Sequence, residues 1–128
     1  MSTRLDAIAQ AQALVDDGAF EDVIGTWVAI PSTSQEPEKR DELERYLHEA
    51  IVPAVEALGC HWEVHENSDP VGGPFLIAER HEAEGLPTIL LYGHGDTVQG
   101  QDDRWDDGRD PWTTDPDGDR LYGRGTAD

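Results

Sequence analysis

Apolar residues recur at helical spacing in three stretches. Leu5, Ile8, Ala9 and Val15 share one face of a first segment, and Thr3 with Asp6 has the form of a capping box built with the shorter acid. With Gly18 as the stop, a helix is predicted over about 3–17. A second short helix is predicted over about 20–28. It must end before Ile30-Pro31-Ser32-Thr33-Ser34, because proline lacks an N–H and restricts the residue before it. The longest stripe, Leu43, Leu47, Ala50, Ile51, Ala54, Val55 and Leu58, predicts a helix over about 38–58 that Gly59 terminates. Pro53 lies inside it and frees the carbonyl of Glu49, so a kink is expected there.

The period then changes. Cys60, Trp62 and Val64 alternate with His61, Glu63 and His65, the pattern of a half-exposed strand over about 60–66. A second strand is predicted over 75–79. Ile89-Leu90-Leu91-Tyr92 follows Pro87 as an unbroken apolar run and reads as a strand over 87–92 buried on both faces. From 99 to 120 the residues are mostly Asp, Gly, Pro and Trp with little periodicity, which predicts a long ordered loop on which Trp105 and Trp112 find cover. Asp117-Gly118 reads as a tight turn into a short Leu121-Tyr122 strand. Helices mixed with strands make the fold class α/β, and the length of 128 residues suggests one core.

Charge narrows the choice of partners. Against 9 Lys and Arg stand 28 Asp and Glu, a net charge of -19. Such a surface repels phosphate backbones and anionic bilayers, so neither nucleic acid nor membrane is expected as a partner. The single cysteine, Cys60, rules out an internal disulfide and a thiolate zinc cluster. The first residues lack a basic stretch followed by an apolar core, and no segment has the roughly 18 apolar residues of a membrane span. A cytoplasmic location is the expectation.

Of the five histidines, His48, His61, His65 and His81 read as solvated structural residues on a helix, a strand face and a turn. His94 differs. It follows the apolar run, has Gly93 and Gly95 on either side, and has Asp96 two positions on. In extended backbone, residues i and i+2 project to one face. A metal-binding imidazole commonly gives its second N–H to a carboxylate. From spacing alone, a metal or catalytic role and a satisfied polar pair both remain open. Asp115, Asp117 and Asp119 mimic the first ligands of a calcium loop, but Arg120 and Thr126 stand where its glycine and its bidentate Glu belong. Gly123-Arg124-Gly125 is too short a pattern for a nucleotide loop.

Taken in order, Tyr92-Gly93-His94-Gly95-Asp96-Thr97-Val98, Asp110-Pro111-Trp112 and Asp117-Gly118-Asp119-Arg120-Leu121-Tyr122-Gly123-Arg124-Gly125-Thr126-Ala127-Asp128 resemble successive signatures of the dinuclear zinc amidohydrolases and metallopeptidases. That family includes acetylornithine deacetylase, succinyl-diaminopimelate desuccinylase, aminoacylase, carnosine dipeptidase and glutamate carboxypeptidase. Ile30-Pro31-Ser32-Thr33-Ser34 resembles its early loop. The resemblance implies an incomplete N-terminal part of a three-layer α/β zinc-peptidase catalytic domain, with the lid domain absent. It implies His94 as a zinc ligand, Asp96 as the catalytic acid that orients it, and Asp128 as the carboxylate bridging two zinc ions, with cobalt as an alternative metal.

The implied substrate is an N-acyl amino acid amide or a dipeptide. The family's general-base Glu and remaining ligands lie beyond its bridging aspartate, and two tetrahedral ions need about eight coordination places. The resemblance therefore implies a hydrolase portion that is inactive alone and is completed by a C-terminal portion or by a second copy. The alternative is a non-catalytic fragment that binds metal weakly or associates with a partner subunit.

Overall fold

The structure, a computed structural model, describes residues 3–69, 72–106 and 108–127. They are mixed α and β, with two separate two-stranded antiparallel sheets, and they divide into two compact units.

The first unit comprises residues 1–29 and 102–128. Helix α1 spans Arg4–Asp16, and the predicted capping box is present. Thr3 accepts from the Asp6 N–H, and the Asp6 carboxylate accepts from the Thr3 N–H at 2.7 Å. The bond from the Thr3 N–H foremost, then one from the Thr3 hydroxyl to the same carboxylate, holds the Asp6 carboxyl below the usual carboxylate range. Gly18 takes the left-handed conformation between α1 and helix α2, Ala19–Val28. Strands Asp115–Asp117 and Arg120–Tyr122 form a hairpin closed by Gly118 at φ 65°. In the order of the chain they are β3 and β4.

The expected loop over 99–120 is thus more regular than its composition indicated, with a 3-10 turn at Asp102–Arg104 as well. Arg109 supplies what periodicity did not. Its guanidinium donates to Asp115 Oδ2 at 2.8 Å and Asp117 Oδ2 at 2.7 Å, and lies 3.6 Å over the Tyr122 ring. The bond to Asp115 above all, then that to Asp117, pushes its pKa further up. Trp105 is half-buried under the Arg124 guanidinium.

The second unit comprises Ile30–Gln101. The predicted long helix forms in segments: a 3-10 turn at Pro37–Lys39, helix α3 at Arg40–Tyr46, a π turn at Leu47–Ile51, and helix α4 at Val52–Ala57. The expected disturbance at Pro53 is this π turn. With no N–H on Pro53 to donate to the Glu49 carbonyl, the ladder shifts register, and the Val52 N–H donates to Leu47 O instead. Gly59, at φ 75°, ends the helix as predicted. The Cys60 N–H reaches Val55 O and the Gly59 N–H reaches Glu56 O, which is a Schellman motif.

Strand β1, His61–His65, pairs antiparallel with β2, Phe75–Glu79, as the alternation predicted. Arg40 ties this hairpin to α3 through Gly72 O and Glu66, both at 2.8 Å. Among the described residues, Ile30, Ala50 and Val52 are buried in this unit, and Val28 and Pro111 in the first.

One prediction fails outright. Residues 87–92 form no strand, and Leu90 and Leu91 are 94% and 85% exposed. A strand apolar on both faces is held only by neighbours that bond its edges and cover its faces. Among the described residues of this unit, the only ladder is β1 with β2, and it does not extend to this run.

Candidate functional site

Downstream of the exposed run, order returns where the loop Ser32–Ser34 lies alongside Gly95–Thr97. Thr33 and Thr97 form an isolated parallel bridge, and the Thr97 N–H donates to Ser32 O at 2.9 Å. The Ser32 hydroxyl donates to Gly95 O at 2.6 Å, and the Ser34 hydroxyl to Asp96 Oδ2 at 2.6 Å. Ser32 and Thr33 are fully buried. Gly95 is required here for contact rather than for conformation. A Cβ on it would stand 1.9 Å from Cε1 of Tyr46, whose ring closes over this backbone. Partial burial pushes the Tyr46 phenol up.

The structure brings His94 and Asp96 together. His94 Nδ1 lies 3.3 Å from Asp96 Oδ1 and 3.3 Å from Asp96 O, both at the long end of hydrogen-bond reach. Two acceptor oxygens facing Nδ1 favour the tautomer that carries the proton there and leaves the lone pair on Nε2. Both side chains are about half exposed, 44% and 47%. A third predicted site residue, Asp128, lies outside the described residues, although the turn leading to it is present. Gly123 and Gly125 take φ 150° and 86°, and the Thr126 hydroxyl reaches Leu121 O and Gly123 O at 3.1 Å.

A neutral imidazole backed by a carboxylate is the donor chemistry that zinc or cobalt takes. The described residues contain no group of three or more His, Cys, Asp or Glu placed to hold an ion. The pair therefore offers one ligand and its support, and the described residues do not make a metal centre by themselves.

Two comparisons bear on what the pair belongs to. No family model matches the sequence. Curated acetylornithine deacetylases do: those of Salmonella paratyphi B and Salmonella newport are each 36% identical to it over 114 residues, 85% of this chain and 27% of theirs. The chain belongs to the wider family that contains these deacetylases, as an N-terminal portion of it. It spans about a quarter of the length of the curated relatives it matches.

Sequence reasoning picked out the His94–Asp96 pair and noticed the loop 30–34, but it missed what the loop does. Ser32, Ser34 and Tyr46 were not singled out as site residues. The one available signal was three hydroxyl residues in succession directly after a proline, too common a pattern to single out. Two of the other histidines make ring contacts. His65 stacks on Phe75 at 5.4 Å, and His48 meets the edge of Trp62 at 6.2 Å. No helix among the described residues is long and apolar enough to cross a membrane.

Proposed function

We propose that this chain is the N-terminal part of a three-layer α/β zinc-dependent amidohydrolase that cleaves the amide of N-acyl amino acids or dipeptides, and that it is inactive until a C-terminal portion completes the site. The observation that carries the reading is the His94–Asp96 contact, 3.3 Å between Nδ1 and Oδ1, in a chain related to acetylornithine deacetylases. In this reading His94 would offer Nε2 as one zinc ligand, Asp128 would offer a carboxylate, and the remaining ligands and the general base would come from the complementing portion. Bound zinc would supply Lewis acidity and lower the pKa of a water towards about 7. Asp96, by accepting from Nδ1, would hold the imidazole in the tautomer that presents Nε2 to the metal.

The test is hydrolysis of N-acetylornithine in the presence of zinc or cobalt. The 128-residue chain should give no turnover alone, should gain it when the C-terminal portion is added, and should lose it again with His94→Ala. Turnover by the isolated chain at a His94-dependent rate overturns the incompleteness.

A second reading is a non-catalytic fragment that associates with a partner subunit, and the exposure of Leu90 and Leu91 favours it. Under that reading the C-terminal portion binds the chain but restores no hydrolysis.

A further inference from the structure

The loop Ser32–Ser34 does more than pack. It meets Gly95, Asp96 and Thr97 with separate bonds: Ser32 Oγ to Gly95 O, Ser34 Oγ to Asp96 Oδ2, and the Thr97 N–H to Ser32 O. Two hydroxyls in the same contact, those of Thr33 and Thr97, are buried without a hydrogen-bond partner.

The Asp96 carboxylate is consequently divided between two partners. Oδ2 accepts from Ser34 at 2.6 Å, a short charge-assisted bond, and Oδ1 faces His94 Nδ1 at 3.3 Å. With Asp96 about half exposed, water competes for both oxygens. A carboxylate tethered by one bond can turn about χ2, whereas one tethered at both oxygens cannot.

We propose that Ser34 is a positioning residue for His94. By anchoring Oδ2 it keeps Oδ1 on Nδ1, and so sets the imidazole tautomer that leaves Nε2 basic. This deepens the metal-ligand reading of His94 and rests on it for its function, but the tautomer is a property of the metal-free chain and can be read there. The order of influence runs from a loop more than sixty positions earlier, through a carboxylate, to the ring. The bond Ser34 makes from its hydroxyl goes to Asp96, and its influence on the ring runs through that carboxylate.

The experiment is 15N NMR of the His94 imidazole in the metal-free 128-residue chain, at a pH raised until the ring 15N shifts stop changing, so that they report the tautomer alone. The parent and Ser34→Thr, which keeps the hydroxyl, should show the Nδ1–H tautomer as the major form. Ser34→Ala should lower its share at least two-fold while the backbone amide spectrum of the rest of the chain stays in place. Should Ser34→Ala fail to fold, Ser34→Cys preserves size with a weaker donor and should give an intermediate share. A parent with Nε2–H as the major form, or a folded Ala or Cys variant with the parental share, overturns the proposal.

Zinc calorimetry on the same variants separates the two layers. Binding roughly 10-fold weaker in Ser34→Ala, the typical loss for a group supporting a ligand, agrees with both. Zinc binding that His94→Ala leaves unchanged sinks the metal reading, while the tautomer result still decides the role of Ser34.

Discussion

Gly95→Ala puts the packing around the candidate site to a numerical test. The added Cβ would stand 1.9, 2.5 and 2.7 Å from Cε1, Cζ and Cδ1 of Tyr46, where ordinary carbon contacts are about 3.5–4.0 Å. The ring must therefore retreat by roughly 1.5 Å or swing out. Retreat is overpacking, which typically costs about 1–3 kcal/mol. Swinging out forfeits the burial of a half-buried aromatic ring, about 1 kcal/mol.

Either route predicts destabilisation of about 1–3 kcal/mol, read as a fall in the urea midpoint of about 1 M for an m-value of about 1–3 kcal/mol/M. The decisive arm is the same substitution in a Tyr46→Ala background. Gly95 does not occupy the left-handed region, so with the ring gone alanine should be neutral or stabilising by about 0.4–1 kcal/mol, through the lower entropy of the unfolded chain. The sign of the effect should thus reverse between the two backgrounds. Additive effects, with Gly95→Ala equally costly in both, would refute the claim that Tyr46 is what demands glycine.

Three other outcomes follow from the same coordinates. Thr97→Val, which removes a buried hydroxyl without a partner, should be neutral or stabilising by about 1 kcal/mol in urea unfolding; a loss of more than about 1 kcal/mol would mean that the hydroxyl is satisfied in solution. Helix α1 should depend on pH through Asp6, whose folded pKa is depressed. Its contribution is complete above the ordinary Asp range and is lost as pH falls through the depressed value, so NMR helical shifts of residues 4–8 should decline on acidification and Thr3→Val should flatten that decline. Leu90→Lys, at a 94% exposed position, should change the urea midpoint little, corresponding to less than about 0.5 kcal/mol, yet reduce binding of an apolar dye; a large loss of stability would place Leu90 in a packed core.

Local rules read well from this sequence, and rules that need a neighbour did not. The Thr3–Asp6 box, the Gly59 stop, the β1–β2 alternation and the Gly118 turn each depend on a few adjacent residues, and each is present. Residues 87–92 failed because burial on two faces is a property of what surrounds a strand, and composition cannot supply it. The hairpin at β3 and β4 was half seen because Arg109, its staple, comes six positions before Asp115 and carries no periodic signal. At the site, His94 and Asp96 were legible because two residues in extended backbone share a face. Ser34 was not, because its bond to Asp96 spans 62 positions, and no local pattern encodes such a pairing.

The π turn at Leu47–Ile51 makes the register of the third helix a matter of counting. One residue more or fewer in a helix rotates everything beyond it by about 100°. Tyr46, whose ring covers Gly95, stands just before that turn, and Val52, buried in the core of the unit, just after it. Deleting a single residue between them would remove the extra residue that the π turn accommodates, while Pro53 would still leave one carbonyl of the preceding turn without an amide partner. The deletion would also swing either the aromatic ring or the core valine to the wrong side, so the irregular turn is what lets one helix serve two differently oriented contacts.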